Sequence, residues 1–322
     1  MAREIINVAI AADAGYAIGL ATAAISIAYH ASKDIELSFY FLDGGIPDAI
    51  FKKMEEAISR IHPFVQYYRI PVDQTQFAEF PDWRGNKMAY ARFLLIENLK
   101  DIDHLIYCDA DFLWRSDIAE LWSLRDEKVT LQAVVDPLVE NTPEPQWFID
   151  HGYQFPHGRY LNSGLLLMNL KKLRQERFVP RAFELIREHP DFLYADQESF
   201  VLLLEKETRF LDKSWMRFTK TLTSRDFDHP LVCHYVNDLP WGAVPSDLNL
   251  RDMLPMLKDA PMAWRFMAQK GGLMNIPLKL RLFYFLTRLP IVKNLFYLLL
   301  KAIGKHGAAA CCQKECSATV DV

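Results

Sequence analysis

The chain has 322 residues, 51% of them hydrophobic and 24% charged, which is enough to bury a full core as one large domain or as one domain with an appendage. Its net charge of −4 is unevenly placed, with −11 on residues 1–259 and +7 on residues 260–322. An acidic body repels a polyanion, so nucleic acid is not expected as a partner, whereas the basic, aromatic tail suits an anionic membrane surface.

Five cysteines form no disulfide framework. Cys108 and Cys233 sit in apolar strand-like runs, and Cys311, Cys312 and Cys316 near His306 lack standard zinc-ligand spacing. The uncharged stretch 14–29 follows Glu4 and Asp13, unlike a signal peptide. Lys293 and Lys301 bracket the longest apolar run, leaving too few apolar residues for a spanning helix. The expectation is a cytoplasmic protein, peripheral at the inner face of the membrane.

In chain order, residues 5–12, 37–42 and 64–70 read as strands, and residues 18–31, 48–61 and 87–99 carry helical periodicity. This alternation indicates parallel βαβ units with helices on both faces of the sheet. Residues 104–108 form a further strand ending in Asp109-Ala110-Asp111, and residues 130–135 form another ending at Asp136. Residues 140–159, rich in Pro, Gly and aromatics, read as an ordered active-site loop. A dense apolar run over 160–170 contains Asn162-Ser163-Gly164, helices are expected over 180–188 and 196–205, and residues 231–235 read as a short strand. Beyond about residue 261 the chain turns basic and amphipathic, with Pro277 and Pro290 dividing short helices. The expected division is a catalytic domain over 1–259 and a membrane-association tail over 260–322.

In an open α/β sheet, ligands gather beyond the carboxyl ends of the strands, and three acidic strand ends converge there: Asp13, Asp109 with Asp111, and Asp136. Two carboxylates at i, i+2 can reach one divalent ion and leave positions open for substrate oxygens. Alone, such a pair serves a turn or helix cap equally well.

Taken together, the motifs are Ala11-Ala12-Asp13-x-x-Tyr16, Tyr90-Ala91-Arg92, Tyr107-x-Asp109-Ala110-Asp111, Tyr160 through Leu170, Asp196-Gln197-Glu198, and His234-Tyr235 before Pro240-Trp241. In this order over residues 5–242 the chain resembles glycosyltransferase family 8, in particular bacterial α-galactosyltransferases that extend lipo-oligosaccharide. The resemblance implies a GT-A fold, a single Rossmann-like nucleotide-sugar-binding domain with a mixed, mainly parallel sheet. It implies a retaining transferase using a UDP-hexose donor, galactose or glucose, and a glycan or glycolipid acceptor. Asp109, Asp111 and His234 would hold Mn²⁺, with Mg²⁺ as an alternative. The donor would be bound by Ala11, Asp13, Tyr16, Arg92, Asp109, Ala110, Asp136, Asn162, Asp196 and Gln197, with Asp13 and Tyr16 on the uracil and Asp196 and Gln197 nearest the chemistry.

Each assignment has a plainer alternative. Asp13 can cap the next helix, Tyr16 can be core, Arg92 can form a structural ion pair, Asn162 can serve a bulge, Asp196-Gln197 can start a helix, and His234 can be a buried strand histidine. Two departures from the family pattern stand out. A Gly and a Lys usually follow the histidine before Pro-Trp, but the chain has Val236-Asn237-Asp238-Leu239, and Gly15 replaces a common Asn. The missing Lys keeps a non-catalytic sugar-nucleotide or membrane-surface binder in view. Phosphoryl transfer of the haloacid-dehalogenase type fits less well, because its Asp-x-Asp follows the first strand.

Overall fold

A computed structural model describes residues 3–82, 85–219, 231–236, 240–241 and 259–287. Among the described residues ten strands run in chain order: β1 (Ile5–Asp13), β2 (Glu36–Gly44), β3 (Val65–Pro71), β4 (His104–Asp109), β5 (Phe112–Trp114), β6 (Leu131–Val135), β7 (Leu161–Asn169), β8 (Thr208–Phe210), β9 (Arg217–Phe218) and β10 (Val232–His234). The described α-helices are α1 (Ala17–His30), α2 (Asp48–Ser59), α3 (Phe93–Asn98), α4 (Ile118–Trp122), α5 (Glu144–Asp150), α6 (Leu170–Gln175), α7 (Phe178–Glu188), α8 (Gln197–Leu204), α9 (Asp259–Lys270) and α10 (Leu278–Thr287).

Seven strands form one sheet in the order β3-β2-β1-β4-β7-β6-β8. The pairs β1–β2, β2–β3, β1–β4 and β6–β8 are parallel, while β7 runs antiparallel to β4 and β6. This is the mixed, mainly parallel sheet of a GT-A fold. The central strands read as unbroken apolar runs because both faces are covered. On β1, Ile6, Val8 and Ile10 join the α1–α2 side of the core, and Ala9 joins the side packed by α3 and α6–α8. Tyr107 and Cys108 of β4 divide in the same way, as the two-residue period of a strand requires.

Several boundaries differ from the sequence reading. The helix expected over 87–99 is a 3₁₀ turn, Met88–Arg92, followed by α3. Inside the expected loop 140–159 lies α5, with proline in its first turn, where the missing N–H has no intrahelical partner to lose. Residues 259–274, of which the sequence analysis assigned 260–274 to the tail, form one compact unit with residues 1–242. Trp264, Met267 and Ala268 of α9 and Leu273 after it are buried in the same core as α1. Among the described residues, 275–287, which carry α10, belong to a second unit. Among the described residues no helix is long and apolar enough to cross a membrane.

What the fold achieves for the site is convergence. The carboxyl ends of β1 and β4 lie side by side, with Ala11 opposite Asp109. A small second sheet, β5-β10-β9, then sets His234 opposite Phe112, and the Tyr235 N–H donates to the Asp111 carbonyl at 2.9 Å.

Candidate active site

A cavity of about 450 Å³ opens at these strand ends. It is lined by every residue proposed from the sequence: Ala11, Asp13, Tyr16, Arg92, Asp109, Ala110, Asp111, Asp136, Asn162, Asp196, Gln197 and His234.

At its floor, ligand atoms of Asp109, Asp111 and His234 lie within 4.8 Å of one another. His234 Nε2 is 3.2 Å from Asp111 Oδ1, and that carboxylate oxygen is buried with no hydrogen-bond donor. A buried carboxylate oxygen without a partner is costly, so a divalent cation fits this donor set. The imidazole stacks on Phe112, with ring centroids 4.2 Å apart. Burial alone would lower its pKa, but the charges of Asp111, Asp109 and Asp136 raise it above the ordinary value.

Arg92 is 4% exposed and is committed to protein partners. Its guanidinium donates to the Ala89 carbonyl at 3.0 Å, to the Ser163 carbonyl and to Asp109 Oδ1 at 3.1 Å. Its Nε lies 3.2 Å from Asp196 Oδ2. The structural ion pair weighed against a donor contact is therefore present, and it orients two site carboxylates at once. Asp109 Oδ1 also accepts from the Tyr107 hydroxyl at 2.9 Å. Among the described lining residues Arg92 is the one Lys or Arg. The segment that replaces the usual Lys lies partly outside the described residues, as do Cys311, Cys312, Cys316 and His306.

The apolar run of β7 reaches the site through a bulge. The β6–β7 register shifts between Ala133 and Val134, with Leu166 opposite the first and Asn162 opposite the second. The extra residues bend the strand and re-aim its side chains. Asn162 donates to Asp136 Oδ2 at 2.8 Å and accepts from the Gly164 N–H at 2.9 Å. Asp136 Oδ1 accepts from the Leu138 N–H. A Cβ at Gly164 would stand 2.8 Å from Asp109 Oδ2 and 2.9 Å from both Asn162 Oδ1 and His234 Cε1, so only glycine lets β7 approach the Asp109 and His234 side chains this closely.

Asp13 serves two purposes: it caps the turn Ala14–Tyr16 by accepting from the Tyr16 N–H at 3.1 Å, and its other oxygen accepts from Asn86 at 3.2 Å. Tyr16 meets Trp241 edge-on at 5.1 Å. Asp196 occupies the N-cap position of α8 without a side-chain capping bond, so its carboxyl is turned to Arg92 instead. Burial pushes its pKa up to about 6, opposed by the Arg92 charge. Gln197 is buried, and its Oε1 accepts from the Ser163 N–H at 2.8 Å. The preceding Ala195 has φ 59°, a left-handed conformation unusual for a residue with a Cβ and typical of functional turns.

Asn86, Thr142, Ser163, Tyr194 and Phe218 also line the cavity and were not singled out from the sequence. Ser163 lay inside the Asn-Ser-Gly motif, Phe218 belongs to the two-residue strand β9, too short to show a period, and the others come from connections that carry no periodicity. Behind the cavity, Glu144 and Glu198 are fully buried. The Tyr160 hydroxyl donates to Glu144 Oε1 at 2.9 Å, and the Tyr194 N–H donates to Glu198 Oε1 at 2.6 Å. The second oxygens of both carboxyls lack a donor, an arrangement that a shared proton satisfies. Burial raises both pKa values, that of Glu144 to about 7.

Comparison with known proteins agrees with this geometry. The model of the family described as Glycosyl transferase family 8 matches residues 7–243. The chain is 24% identical over 260 residues to General stress protein A of Bacillus subtilis, covering 74% of this chain and 88% of that protein. It is 25% identical over 261 residues to a lipopolysaccharide 1,2-glucosyltransferase of Escherichia coli K12, covering 74% and 73%. Among solved structures, the galactosyltransferase LgtC in complex with donor and acceptor sugar analogs superposes with a TM-score of 0.64 at 25% identity, covering 86% of this chain and 99% of that one. The Asp-x-Asp pair follows the fourth strand, which removes the haloacid-dehalogenase alternative.

The buried acid pair makes stability depend on pH. A carboxyl whose folded pKa is raised holds its proton more tightly folded than unfolded. Its contribution is present below the ordinary value of 4.5 and is lost as pH rises through about 7, a loss on the order of 3 kcal/mol. Glu144→Gln keeps an acceptor for Tyr160 and gives Glu198 a permanent N–H donor. Melting temperatures measured from pH 5 to 8.5 should therefore fall with pH in the parent and be markedly flatter in Glu144→Gln.

Proposed function

The chain belongs to glycosyl transferase family 8, and from that membership we propose that it is a Mn²⁺-dependent retaining hexosyltransferase. In this reading it moves galactose or glucose from a UDP-sugar to a glycan or glycolipid acceptor in cell-surface glycan synthesis. That it is a glycosyltransferase with a nucleotide-sugar donor and a glycan acceptor follows from the family. The observation that carries the finer reading is the unsatisfied Asp111 oxygen beside His234 and Asp109.

The proposed roles follow from the contacts. Asp109, Asp111 and His234 hold the cation, which when bound supplies Lewis-acid stabilisation of the departing diphosphate. Ala11, Asp13 and Tyr16 receive the uracil at the end of β1. Asp136, Asn162, Asp196 and Gln197 receive the sugar hydroxyls, each of which costs about 1–3 kcal/mol if desolvated without a partner. Arg92 acts by orienting Asp109 and Asp196 through its hydrogen bond to the first and its ion pair with the second.

Retention finds support in what the carboxylates are already doing. An inverting reaction needs a general base opposite the leaving group. Among the described lining residues, Asp13, Asp136, Asp109 and Asp196 are each engaged by protein donors, and Asp111 is assigned in this reading to the divalent cation. Gln197 is no base, and its amide oxygen already accepts the Ser163 N–H. Front-face displacement needs neither. The bond from the anomeric carbon to phosphate oxygen breaks, the bond to the acceptor oxygen forms on the same face, and the acceptor proton passes to the departing diphosphate.

The basic tail is proposed as a membrane-surface anchor. On α10, Leu278, Leu282, Phe285 and Leu286 are exposed, and from residue 276 to 305 there are six Lys or Arg and no acid. Exposed apolar side chains among cations suit an anionic leaflet, where each basic residue contributes about 1 kcal/mol. Residues 288–305 lie outside the described residues.

Three measurements test these proposals. Transfer from UDP-hexose should vanish in excess EDTA and return with Mn²⁺, and Asp111→Ala should lose transfer by at least about a hundredfold while melting within a few degrees of the parent. Turnover unaffected by either change would exclude the metal reading. Proton NMR of the new anomeric centre should show the small coupling of an α-glycoside, whereas a large axial–axial coupling would show inversion. Full-length protein should float with anionic liposomes and protein truncated after residue 275 should not; equal recovery would exclude the tail as the anchor.

A further inference from the structure

Away from the donor cavity, the end of α5 meets the connection between α7 and α8 through His151, His189 and Asp191, whose ligand atoms lie within 4.8 Å of one another. His151 Nε2 is 3.1 Å from Asp191 Oδ2. Two ligands at about 2.0–2.1 Å from a tetrahedral ion stand roughly 3.3–3.4 Å apart, so this edge is near the size a bound ion sets.

Each group is also held from behind. His151 Nδ1 lies 2.9 Å from the Trp147 carbonyl oxygen; a carbonyl only accepts, so Nδ1 carries a proton, and Nε2 is the nitrogen that faces Asp191 and is the one available to a metal ion. The Trp147 indole N–H donates to Asp191 Oδ2 at 2.9 Å. The Tyr153 hydroxyl is 2.9 Å from His189 Nε2, and the Trp147 ring stacks on His151 at 4.2 Å. A backbone carbonyl fixing the far nitrogen of one histidine, and an N–H fixing a carboxylate, are the supports that metal ligands use. A half-exposed His–Asp ion pair accounts for one of these distances and contributes little by itself. It gives no reason for a second imidazole at the same point.

We propose that His151, His189 and Asp191 form a second metal site, for a borderline divalent ion of the zinc class, with water completing the tetrahedron. Two imidazoles and one carboxylate suit zinc and disfavour calcium and magnesium, which take oxygen ligands. The ion ties the end of α5 to the segment 189–196, which passes through the left-handed Ala195 to Asp196 and Gln197. Its effect is to order the approach to the donor site from outside, and it is separate from the Asp109, Asp111 and His234 cluster.

The test uses full-length protein with Cys311→Ser, Cys312→Ser and Cys316→Ser, which removes competing thiolates, stripped with EDTA and titrated with Zn²⁺ alone. Zinc is counted by chelator competition, and melting temperature is followed in parallel. This parent should bind one more zinc than either His151→Ala or Asp191→Asn, with affinity for that zinc falling more than about tenfold in each variant. The part of the zinc-induced rise in melting temperature due to this site should vanish with it. Asp191→Asn is nearly isosteric and keeps an acceptor for Trp147, so it decides the matter alone if His151→Ala does not fold. Metal-free melting temperatures of folded variants should match the parent. Equal zinc stoichiometry and an equal thermal rise in parent and Asp191→Asn would overturn the site, whatever happens to transferase activity.

Discussion

Arg92 is buried between the 3₁₀ turn that carries it, the end of β4, the bulge of β7 and the start of α8. A guanidinium without water must be surrounded by acceptors, and those acceptors are two backbone carbonyls and the carboxylates of Asp109 and Asp196. Four segments far apart in sequence are thereby set to one geometry. Its face also covers the Tyr107 ring at 4.4 Å, so the cation is enclosed on every side that the fold supplies. Removing one partner of such a buried pair typically costs about 3–5 kcal/mol. That sensitivity gives the arrangement its precision: Asp109 and Asp196 cannot drift without leaving Arg92 unpaired.

With those carboxylates set, the remaining geometry follows from close approach. Gly164 brings β7 within contact of Asp109 and His234, and the neighbouring bulge turns Asn162 towards Asp136. Gly19 does the same on the other side, where a Cβ would meet the Ala110 carbonyl at 2.8 Å and the Trp241 ring at 3.0 Å. The small β5-β10-β9 sheet then supplies His234 from a segment more than a hundred residues beyond Asp111. The result is a preorganised floor in which polar groups are fixed before substrate arrives, the condition under which electrostatic stabilisation is most effective.

The wall opposite is supported differently. Residues 139–160 carry α5 and an aromatic cluster around Trp147 and give Val139 and Thr142 to the lining, and the buried Glu144–Glu198 pair joins this segment to α8. An acid pair that shares one proton is a conditional link, firm while protonated and repulsive once both charges are present. Tyr194, which lines the cavity from this side, donates its backbone N–H to the Glu198 carboxyl of this pair. Floor and wall thus rest on different chemistry, a permanent cation on one side and a titratable pair on the other.

Much of this was legible in the sequence because it is local. Continuous apolar runs identify β1, β4 and β7, the strand-to-helix alternation identifies the layered sheet, and the acidic strand ends mark Asp13, Asp109, Asp111 and Asp136 as site candidates. Pattern against family order added Asn162, Asp196, Gln197 and His234. Tertiary structure alone decided what local pattern does not encode: that Arg92 faces two carboxylates, that β7 runs antiparallel and bulges at Asn162, and that Glu144 within a proline-rich stretch meets Glu198 across the fold. It likewise decided that α9 belongs to the core rather than to a basic tail, since the burial of Trp264 depends on the α1 surface that receives it. Periodicity and strand-end chemistry are properties of neighbours in sequence, whereas a buried charge chooses its partners by desolvation, which acts only between groups that the completed fold has brought together.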